Sequence, residues 1–249
     1  MPTATILGLS GCSSSGKTTL ARLLRSLFPH TLILHQDDFY LPEVHLPFRA
    51  GLRDWDCAAS LDIGGLVDAL KYVKAQGRLP EELVSKEDQN EVGANGVSEG
   101  LERRLKGEVE AWTRGEGKGK VSAQRKLVIL DGFLLFGESV REVREEIDIK
   151  ILLRAKYAKA KERRERRSGY VTLEGFWEDP PGYVEKVVWP NYVEEHAFLF
   201  EGGDVEGKVD WGVVRELGVS VCPGEGEWSM EDVLVWAVAA VKEALSKDG

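Results

Sequence analysis

The chain has 249 residues, of which 43% are hydrophobic and 30% are charged, and this composition excludes a fully disordered, a collagenous or a membrane-embedded protein. Its 33 basic and 42 acidic residues give a net charge of −9, which argues against general nucleic-acid binding. The three cysteines, Cys12, Cys57 and Cys222, form no CxxC pair, so we expect neither a disulfide framework nor a zinc site.

Short apolar runs alternate with helical patterns along the chain. Residues 5–9 predict a first buried strand, and leucines at helical spacing predict a helix over residues 17–27. Further strands are expected at 32–34, 127–130 and 147–153, and a helix is expected near the end of the sequence, from residue 233 onward. The alternation predicts an α/β fold with a parallel sheet flanked by helices, built as a single domain over residues 1–249.

Residues 85–120 interrupt this rhythm. The segment contains seven glycines in 36 residues and charges of both signs. We therefore expect a flexible surface insertion that carries at most one short helix, near residues 101–112.

Residues 11–18, Gly-Cys-Ser-Ser-Ser-Gly-Lys-Thr, fit the pattern of a phosphate-binding loop between a strand and a helix. In such a loop, backbone N–H groups surround phosphate oxygens, Lys17 meets the β- and γ-phosphates as a catalytic residue, and Thr18 offers its hydroxyl to Mg²⁺. The loop therefore predicts a nucleoside triphosphate bound with Mg²⁺. The predicted ATP-binding residues of the loop are Gly11, Ser13, Ser14, Ser15, Gly16, Lys17, Thr18 and Thr19.

Asp131 follows four apolar residues at the end of a predicted strand. In nucleotide-binding proteins with a phosphate loop, a carboxylate at this place holds Mg²⁺ directly or through water. Alone the signal is weak, because many strands end in an Asp that serves the next turn.

Residues 36–40, Gln-Asp-Asp-Phe-Tyr, follow the second predicted strand and bring two carboxylates to the edge of the sheet where ligands bind in such folds. A carboxylate there can orient an alcohol and accept its proton during phosphoryl transfer. The alternative is a solvated turn in which one Asp acts as a cap.

Residues 154–167 contain eight basic and two acidic residues, a net charge of +6 within an acidic chain. Arg163, Arg164 and Arg167 are expected to share one helical face and to cover a triphosphate as part of a lid over residues 154–183. A solvated helix face and a nucleic-acid patch are the alternatives.

Taken together, these motifs resemble those of the nicotinamide riboside kinases, most closely the fungal form. The resemblance is carried by residues 11–18 and 36–39, by Asp-Trp-Asp at 54–56, by Asp-Gly-Phe-Leu-Leu-Phe at 131–136, by the arginine-rich run, and by Pro-Pro-Gly-Tyr at 180–183 with Trp-Pro at 189–190. It covers nearly the whole chain outside residues 85–120. It implies a P-loop kinase fold, related to uridine kinases, and the ATP-dependent phosphorylation of the ribose 5′-hydroxyl of nicotinamide riboside to give nicotinamide mononucleotide for NAD synthesis.

The resemblance also implies roles for individual residues. Asp37 would be the general base and, with Thr18 and Asp131, a Mg²⁺ partner. Asp56 would hold ribose hydroxyls, and Trp55 and Tyr170 would sandwich the pyridinium ring. The full set of implied substrate residues is Asp37, Asp38, Phe39, Tyr40, Trp55, Asp56, Arg164 and Tyr170, and the lid residues on ATP are Arg163, Arg167, Gly169 and Tyr170.

At two positions the sequence differs from other nicotinamide riboside kinases. Animal members carry Glu where this chain has Asp131, and Trp55 stands where Tyr also occurs. Trp keeps the π-face and should preserve stacking on a cationic ring.

Other functions share some of these features. A uridine or cytidine kinase would use the same loop and carboxylates, and an ATP-hydrolysing switch would need the loop and Asp131 but not Asp37, Trp55 and Asp56. A pseudoenzyme is disfavoured because Lys17, Thr18 and Asp37 are all present. We expect small-molecule partners only, a nucleoside and ATP, without nucleic acid or membrane. The protein is expected to be cytoplasmic, with the nucleus as a second compartment.

Overall fold

The computed structural model of the chain describes residues 3–85, 94–115, 126–166, 169–172 and 175–247, with the backbone alone for residues 170–172 and 176. The strands, in chain order, are β1 (Ala4–Ser10), β2 (Leu32–His35), β3 (Phe48–Arg49), β4 (Leu52–Arg53), β5 (Lys126–Asp131), β6 (Ile149–Leu152), β7 (Tyr170–Thr172), β8 (Gly175–Trp177) and β9 (Val219–Val221). The helices are α1 (Lys17–Leu27), α2 (Ile63–Gln76), α3 (Glu99–Thr113), α4 (Arg141–Glu145), α5 (Tyr157–Glu165), α6 (Trp189–His196), α7 (Trp211–Glu216) and α8 (Met230–Lys247).

In the described part of the chain, five strands form one parallel sheet in the order β2-β5-β1-β6-β9. The central strand β1 is buried along its whole length, as expected for a parallel strand that is covered on both faces. Since β1 pairs with β5 and β5 pairs with β2, the carboxyl ends of these three strands meet at one edge of the sheet. The predicted α/β fold with a parallel sheet flanked by helices is confirmed.

Alternate residues of the strands enter two hydrophobic cores. On one face, Leu7 and Ile129 pack with α1, α3 and α8. On the other face, Ile6 and Val128 pack with α2, α4 and α7. This division follows from the period of two along a strand and places a helical layer on each side of the sheet.

The segment predicted to be a flexible insertion contributes to the core. Helix α3 is longer than the predicted 101–112 helix, and its Leu105 and Val109 are buried against α1 and α8. Residues 99–113 therefore do not lie on the surface as expected, because an apolar face at i, i+4 survives among the charges and glycines. The rest of the 85–120 insertion, residues 86–93 and 116–120, lies outside the described residues.

A third, smaller apolar cluster lies beside the sheet edge. It includes Leu46, Trp55 and Tyr183, together with valines of a π-helical turn at Val184–Val188 that leads into α6. The antiparallel hairpin β7–β8 follows α5 and brings Trp177 to this cluster. In its described residues, the region predicted to be a lid, 154–183, thus contains helix α5 and the β7–β8 hairpin.

No helix in the described ranges is both long enough and apolar enough to cross a membrane. Cys12, Cys57 and Cys222 are all free thiols, and Cys12 and Cys222 are buried.

Candidate active site

The predicted phosphate loop connects β1 to α1. Gly11 and Gly16 have φ angles of 147° and 98°, which favour glycine. A Cβ atom on Gly11 would lie 2.2 Å from the carbonyl oxygen of Leu153, so this position has no room for a side chain. Lys17 is buried, and its Nζ donates a hydrogen bond to the carbonyl oxygen of Cys12 at 3.0 Å, which folds the ammonium group over the loop.

The loop has the properties of an anion site. The hydroxyl oxygens of Ser14 and Ser15 are buried and have no hydrogen-bond partner among the described residues. Helix α1 begins directly after the loop, so its N-terminal N–H groups and positive dipole end point toward the same space. A phosphate group would supply the missing acceptors.

Asp131 is the last residue of β5 and stands beside the loop. Its Oδ2 accepts hydrogen bonds from Thr18 Oγ1 at 2.6 Å and from His35 Nδ1 at 3.2 Å. Burial opposes ionisation of this carboxyl, but the His35 and Thr18 hydrogen bonds and the charge of Lys17 outweigh burial and lower its pKa. Asp131 is therefore an ionised carboxylate held next to the start of α1.

Asp37 lies in the 3₁₀ turn Gln36–Phe39 that follows β2. The Gln36 side chain fixes this turn, because it donates to the Leu134 carbonyl at 2.6 Å and accepts from the Leu134 N–H at 3.1 Å. A Cβ atom on Gly132 would lie 2.7 Å from Gln36 Oε1, so the Gly at this position permits the contact.

Tyr40 connects Asp37 to an aromatic cluster. Burial raises the pKa of Tyr40, and the charges of Asp37 and Asp56 raise it further. The Tyr40 ring packs edge-on against Trp55 at 5.2 Å and stacks on Phe133 at 6.3 Å. The Trp177 ring also packs against Trp55, with ring centroids 5.5 Å apart and a tilt of 53° between the planes.

Arg164, Asp56 and Asp179 form a polar group beside this aromatic cluster, and we call these three residues the floor of the site. The guanidinium group donates two hydrogen bonds to Asp56, at 2.9 and 3.3 Å, and two to Asp179, at 2.6 and 3.2 Å. Arg164 and Asp56 are only 8% and 7% exposed, so this ion pair is buried. Asp179 also accepts a hydrogen bond from Trp177 Nε1 at 3.0 Å, which ties the β7–β8 hairpin to the floor.

Comparison with known proteins identifies the family. The nicotinamide riboside kinase of Schizosaccharomyces pombe is 35% identical over 240 residues, which cover 96% of this chain and 97% of that protein. Those of Eremothecium gossypii and Saccharomyces cerevisiae are 36% and 37% identical, over 85% and 82% of this chain and 84% and 82% of theirs. The chain belongs to the nicotinamide riboside kinase family.

Two other comparisons add nothing to this assignment. No family model matches the chain. A solved structure described as a possible uridine kinase from Bacillus stearothermophilus aligns with a TM-score of 0.42 and 16% identity, over 80% of this chain and 86% of that one. A similarity of this size carries no argument about the substrate.

In this nicotinamide riboside kinase family member, the two lid arginines diverge. Arg163 is exposed and donates to the Ser14 carbonyl at 3.3 Å, whereas Arg164 is buried against Asp56 and Asp179. The prediction that they share one face is wrong, because consecutive residues of a helix point about 100° apart. Arg167 and the side chain of Tyr170 lie outside the described residues.

The kinase brings most of the other predicted site residues to the same edge. Ser13, Thr19, Asp38 and Tyr40 are all partly exposed there, and Gly169 follows α5 with a φ of 136°. Phe39 differs, because its side chain is buried in the core on the α2 face of the sheet. Phe39 is therefore a packing residue in this structure, not a wall of the pocket.

Sequence reasoning assigned no role to several residues that build the site of this kinase. Trp177, Asp179 and Tyr183 shape the aromatic cluster and its floor, and Asp54 and Asn191 support it from behind. Asp54 and Tyr183 do stand within quoted motifs, but nothing in their spacing indicates which partner each one takes. Those partners are up to 137 residues away in sequence.

Proposed function

We propose that this protein transfers the γ-phosphoryl group of ATP to the 5′-hydroxyl of nicotinamide riboside, giving nicotinamide mononucleotide. One observation carries the proposal: the phosphate loop, Asp131 and Asp37 share the edge of the sheet where an aromatic cluster surrounds a buried Asp56–Arg164 pair. Such an edge can hold a triphosphate and a nucleoside together. The activity named for the three fungal relatives is the same.

The pocket suits a ribonucleoside with a positively charged base. Trp177 is partly exposed and offers a π-face, while Trp55 is buried behind it, and a cation over an aromatic ring is stabilised by about 0.5–2 kcal/mol. The floor combines the carboxylates of Asp56 and Asp179 with the single guanidinium of Arg164, so it carries a net negative charge. A pyridinium ring is attracted to such a site, and a neutral uracil is not.

The ribose would lie on the Asp56–Arg164 pair. Carboxylate oxygens accept hydrogen bonds from hydroxyl groups and a guanidinium donates them, so the pair can recognise two neighbouring hydroxyls. The 5′-hydroxyl then points toward Asp37, which orients it and accepts its proton as the phosphoryl group is transferred. Lys17 stabilises the charge that develops on the transferred phosphate oxygens.

The residues beside the loop fit Mg²⁺. Thr18 and Asp131 provide hydroxyl and carboxylate oxygens, the donors that this ion prefers. The described residues contain no cluster of three or more acidic, His or Cys side chains that could hold an ion alone, so the remaining ligands would come from ATP and water. Bound Mg²⁺ would neutralise phosphate charge, and Asp37, in the turn that follows β2, would be a further carboxylate able to hold it.

Arg163 supports closure over ATP. Its guanidinium already reaches the Ser14 carbonyl of the phosphate loop from α5. A small movement of this exposed side chain would bring it onto a phosphate, where a guanidinium forms strong charge-assisted hydrogen bonds. Closure of the 154–183 region would also exclude water and protect ATP from hydrolysis.

A panel of nucleosides with Mg-ATP, read out by the mass of the phosphorylated product, tests the proposal. Nicotinamide riboside should be converted much faster than uridine or cytidine. Asp37→Asn should lose nearly all transfer, while Asp68→Asn, an exposed acid on α2, serves as the matched control and should retain it.

Two outcomes would assign another function. Equal or faster conversion of uridine or cytidine would make the protein a pyrimidine nucleoside kinase. ATP hydrolysis that no nucleoside alters, together with full activity of Asp37→Asn, would make it an ATP-hydrolysing switch.

A further inference from the structure

We infer that Asp54, Asn191 and Arg49 form a positioning network that fixes the Trp55–Asp56 segment for nucleoside binding. The inference rests on the proposed function, since it assumes that this segment contacts the nucleoside. None of the three side chains is part of the predicted site. Each acts on the segment through another residue.

The centre of the network is the buried carboxylate of Asp54, which is 4% exposed. Its Oδ1 and Oδ2 accept hydrogen bonds from Asn191 Nδ2 at 2.8 and 3.0 Å. Its Oδ1 also accepts the backbone N–H of Asp56 at 3.0 Å. Asp54 therefore links α6 to the backbone of the proposed ribose-binding residue.

Arg49 fixes the orientation of the Asn191 amide. Arg49 Nη1 donates to Asn191 Oδ1 at 2.7 Å, so the amide nitrogen must point to Asp54. Arg49 is itself held by a bidentate pair with Glu194, one turn further along α6. A continuous chain of polar contacts thus runs from Glu194 through Arg49, Asn191 and Asp54 to Asp56.

Side chains hold both backbone N–H groups of the Trp55–Asp56 segment. The N–H of Trp55 donates to the Tyr183 hydroxyl at 3.0 Å, and the N–H of Asp56 donates to Asp54. The segment has no regular secondary structure, so its backbone N–H groups have no partners in a helix or a sheet. The two side-chain hydrogen bonds satisfy these groups instead. They determine where the Trp55 ring and the Asp56 carboxylate stand.

A purely structural role would not require a buried carboxylate. Burying a charge costs free energy, and apolar packing could stabilise the loop equally well. The polar chain instead specifies a single conformation, because each donor and acceptor is satisfied only in this arrangement. Preorganisation of this kind lowers the cost of binding a ligand.

The first test removes the amide. Asn191→Leu keeps a similar size but withdraws both donors from Asp54. We expect the KM for the nucleoside to rise by about tenfold, since small displacements of a binding group are costly. The KM for ATP and the kcat at saturating nucleoside should stay within about twofold, because the phosphate loop and Asp37 are untouched.

The second test exchanges the two partners and keeps the result interpretable if Asn191→Leu folds poorly. Asn191→Asp alone places a second carboxylate against that of Asp54. The two groups repel each other, so this variant should raise the nucleoside KM in the same way. In Asp54→Asn/Asn191→Asp, the amide introduced at position 54 donates to the carboxylate introduced at position 191. The oxygen of the amide at position 54 still accepts a hydrogen bond from the Asp56 N–H. Arg49 then pairs with the carboxylate at position 191. This double variant should return to within about threefold of the parent KM.

Lys186→Ala, an exposed change just before α6, is the matched control and should leave both KM values unchanged. The nucleoside in these assays is whichever one the parent enzyme converts, so the identity of that nucleoside tests the proposed function and the variant-to-parent ratio tests the network. A parent-like nucleoside KM in Asn191→Leu, or a double variant no better than Asn191→Asp, would overturn the inference.

Discussion

Thr18 Oγ1 donates a hydrogen bond to Asp131 Oδ2 across 2.6 Å, although the two residues are 113 positions apart in sequence. The bond joins the first turn of α1 to the tip of β5, and His35 at the end of β2 contacts the same oxygen. One helix and two strands of the sheet therefore meet at one carboxylate. This is the place where the proposed reaction would need Mg²⁺.

Asp131→Asn should separate metal-dependent from metal-independent ATP binding. The amide keeps the size of the side chain but loses the charge, so we expect kcat to fall by about 100-fold and to require more Mg²⁺. The affinity for ATP without Mg²⁺ should change little, since the loop is intact. Activity titrations with Mg²⁺ and calorimetry in EDTA measure the two effects, and an unchanged Mg²⁺ dependence would contradict the proposed role.

Trp177 should be an aromatic wall of the pocket, because it is partly exposed beside the buried Trp55 and its indole is held by Asp179. Trp177→Ala should raise the nucleoside KM by about tenfold with little effect on the KM for ATP. Trp177→Phe keeps a ring but loses the bond to Asp179, so an intermediate KM is expected. Trp211→Ala, at an exposed tryptophan of α7, is the control. Equal KM values for Trp177→Ala and this control would exclude the role.

Arg163 and Arg164 should give different phenotypes despite being neighbours. Arg164→Ala leaves two carboxylates without their buried cation, so it should lower the free energy of unfolding by about 3–5 kcal/mol and reduce kcat/KM for the nucleoside. Arg163→Ala should leave stability unchanged and raise the KM for ATP. Denaturant unfolding and steady-state kinetics of both variants check this. If the two variants showed the same change in unfolding free energy and in both KM values, the different positions of Arg163 and Arg164 would have no functional consequence.

His196 should make the protein less stable in mild acid. Burial, together with the charge of Lys17, lowers the pKa of His196 from 6.5 to about 4. The unfolded chain therefore binds a proton first, so this contribution to stability is complete above pH 6.5 and is lost as the pH falls from 6.5 to about 4. The loss amounts to about 3 kcal/mol.

His196→Asn checks this assignment with urea unfolding at pH 7.5 and 5. Asn can still donate to the Tyr192 carbonyl, which His196 Nδ1 contacts at 3.0 Å, but it does not titrate. The difference in unfolding free energy between the two pH values should shrink in this variant. It should persist in His45→Asn, since His45 is exposed. Identical pH dependence in both variants would refute the role of His196.

Leu105→Ala should show that α3 belongs to the core. The side chain is 2% exposed and packs with α1 and α8, so its truncation should cost about 2–5 kcal/mol of unfolding free energy. Lys106→Ala, at the next and exposed position, should change stability by less than about 0.5 kcal/mol. If Leu105→Ala lowered the free energy of unfolding no more than Lys106→Ala does, α3 would not belong to the core.

Local signals in the sequence predicted the elements with the clearest periodicity. The helix over residues 17–27 has the predicted bounds, and the strand that ends at Asp131 lies where four apolar residues indicated it. Both features are fixed by residues close together in sequence. The phosphate loop is predictable for the same reason.

The rest depends on contacts between distant residues. The family resemblance implied that Arg164 would face the substrate, but its partner Asp179 and the indole of Trp177 are placed by a hairpin whose geometry no spacing reveals. Helix α3 was underestimated because only Leu105 and Val109 of its residues are buried, among many charges. Asn191 carries no sequence signal, since its role depends on Asp54, which is 137 residues away.

The position of β5 between β1 and β2 limits how the chain can vary. Asp131 stands level with Leu9 on one side and His35 on the other. Because successive side chains of a strand point to opposite faces, one extra residue within β5 would turn this carboxylate away from Thr18. Surface connections away from the phosphate loop and the Gln36–Phe39 turn can lengthen or shorten without moving it. A protein engineer can therefore graft new segments onto the loops of this enzyme but must keep the six residues of this strand in number.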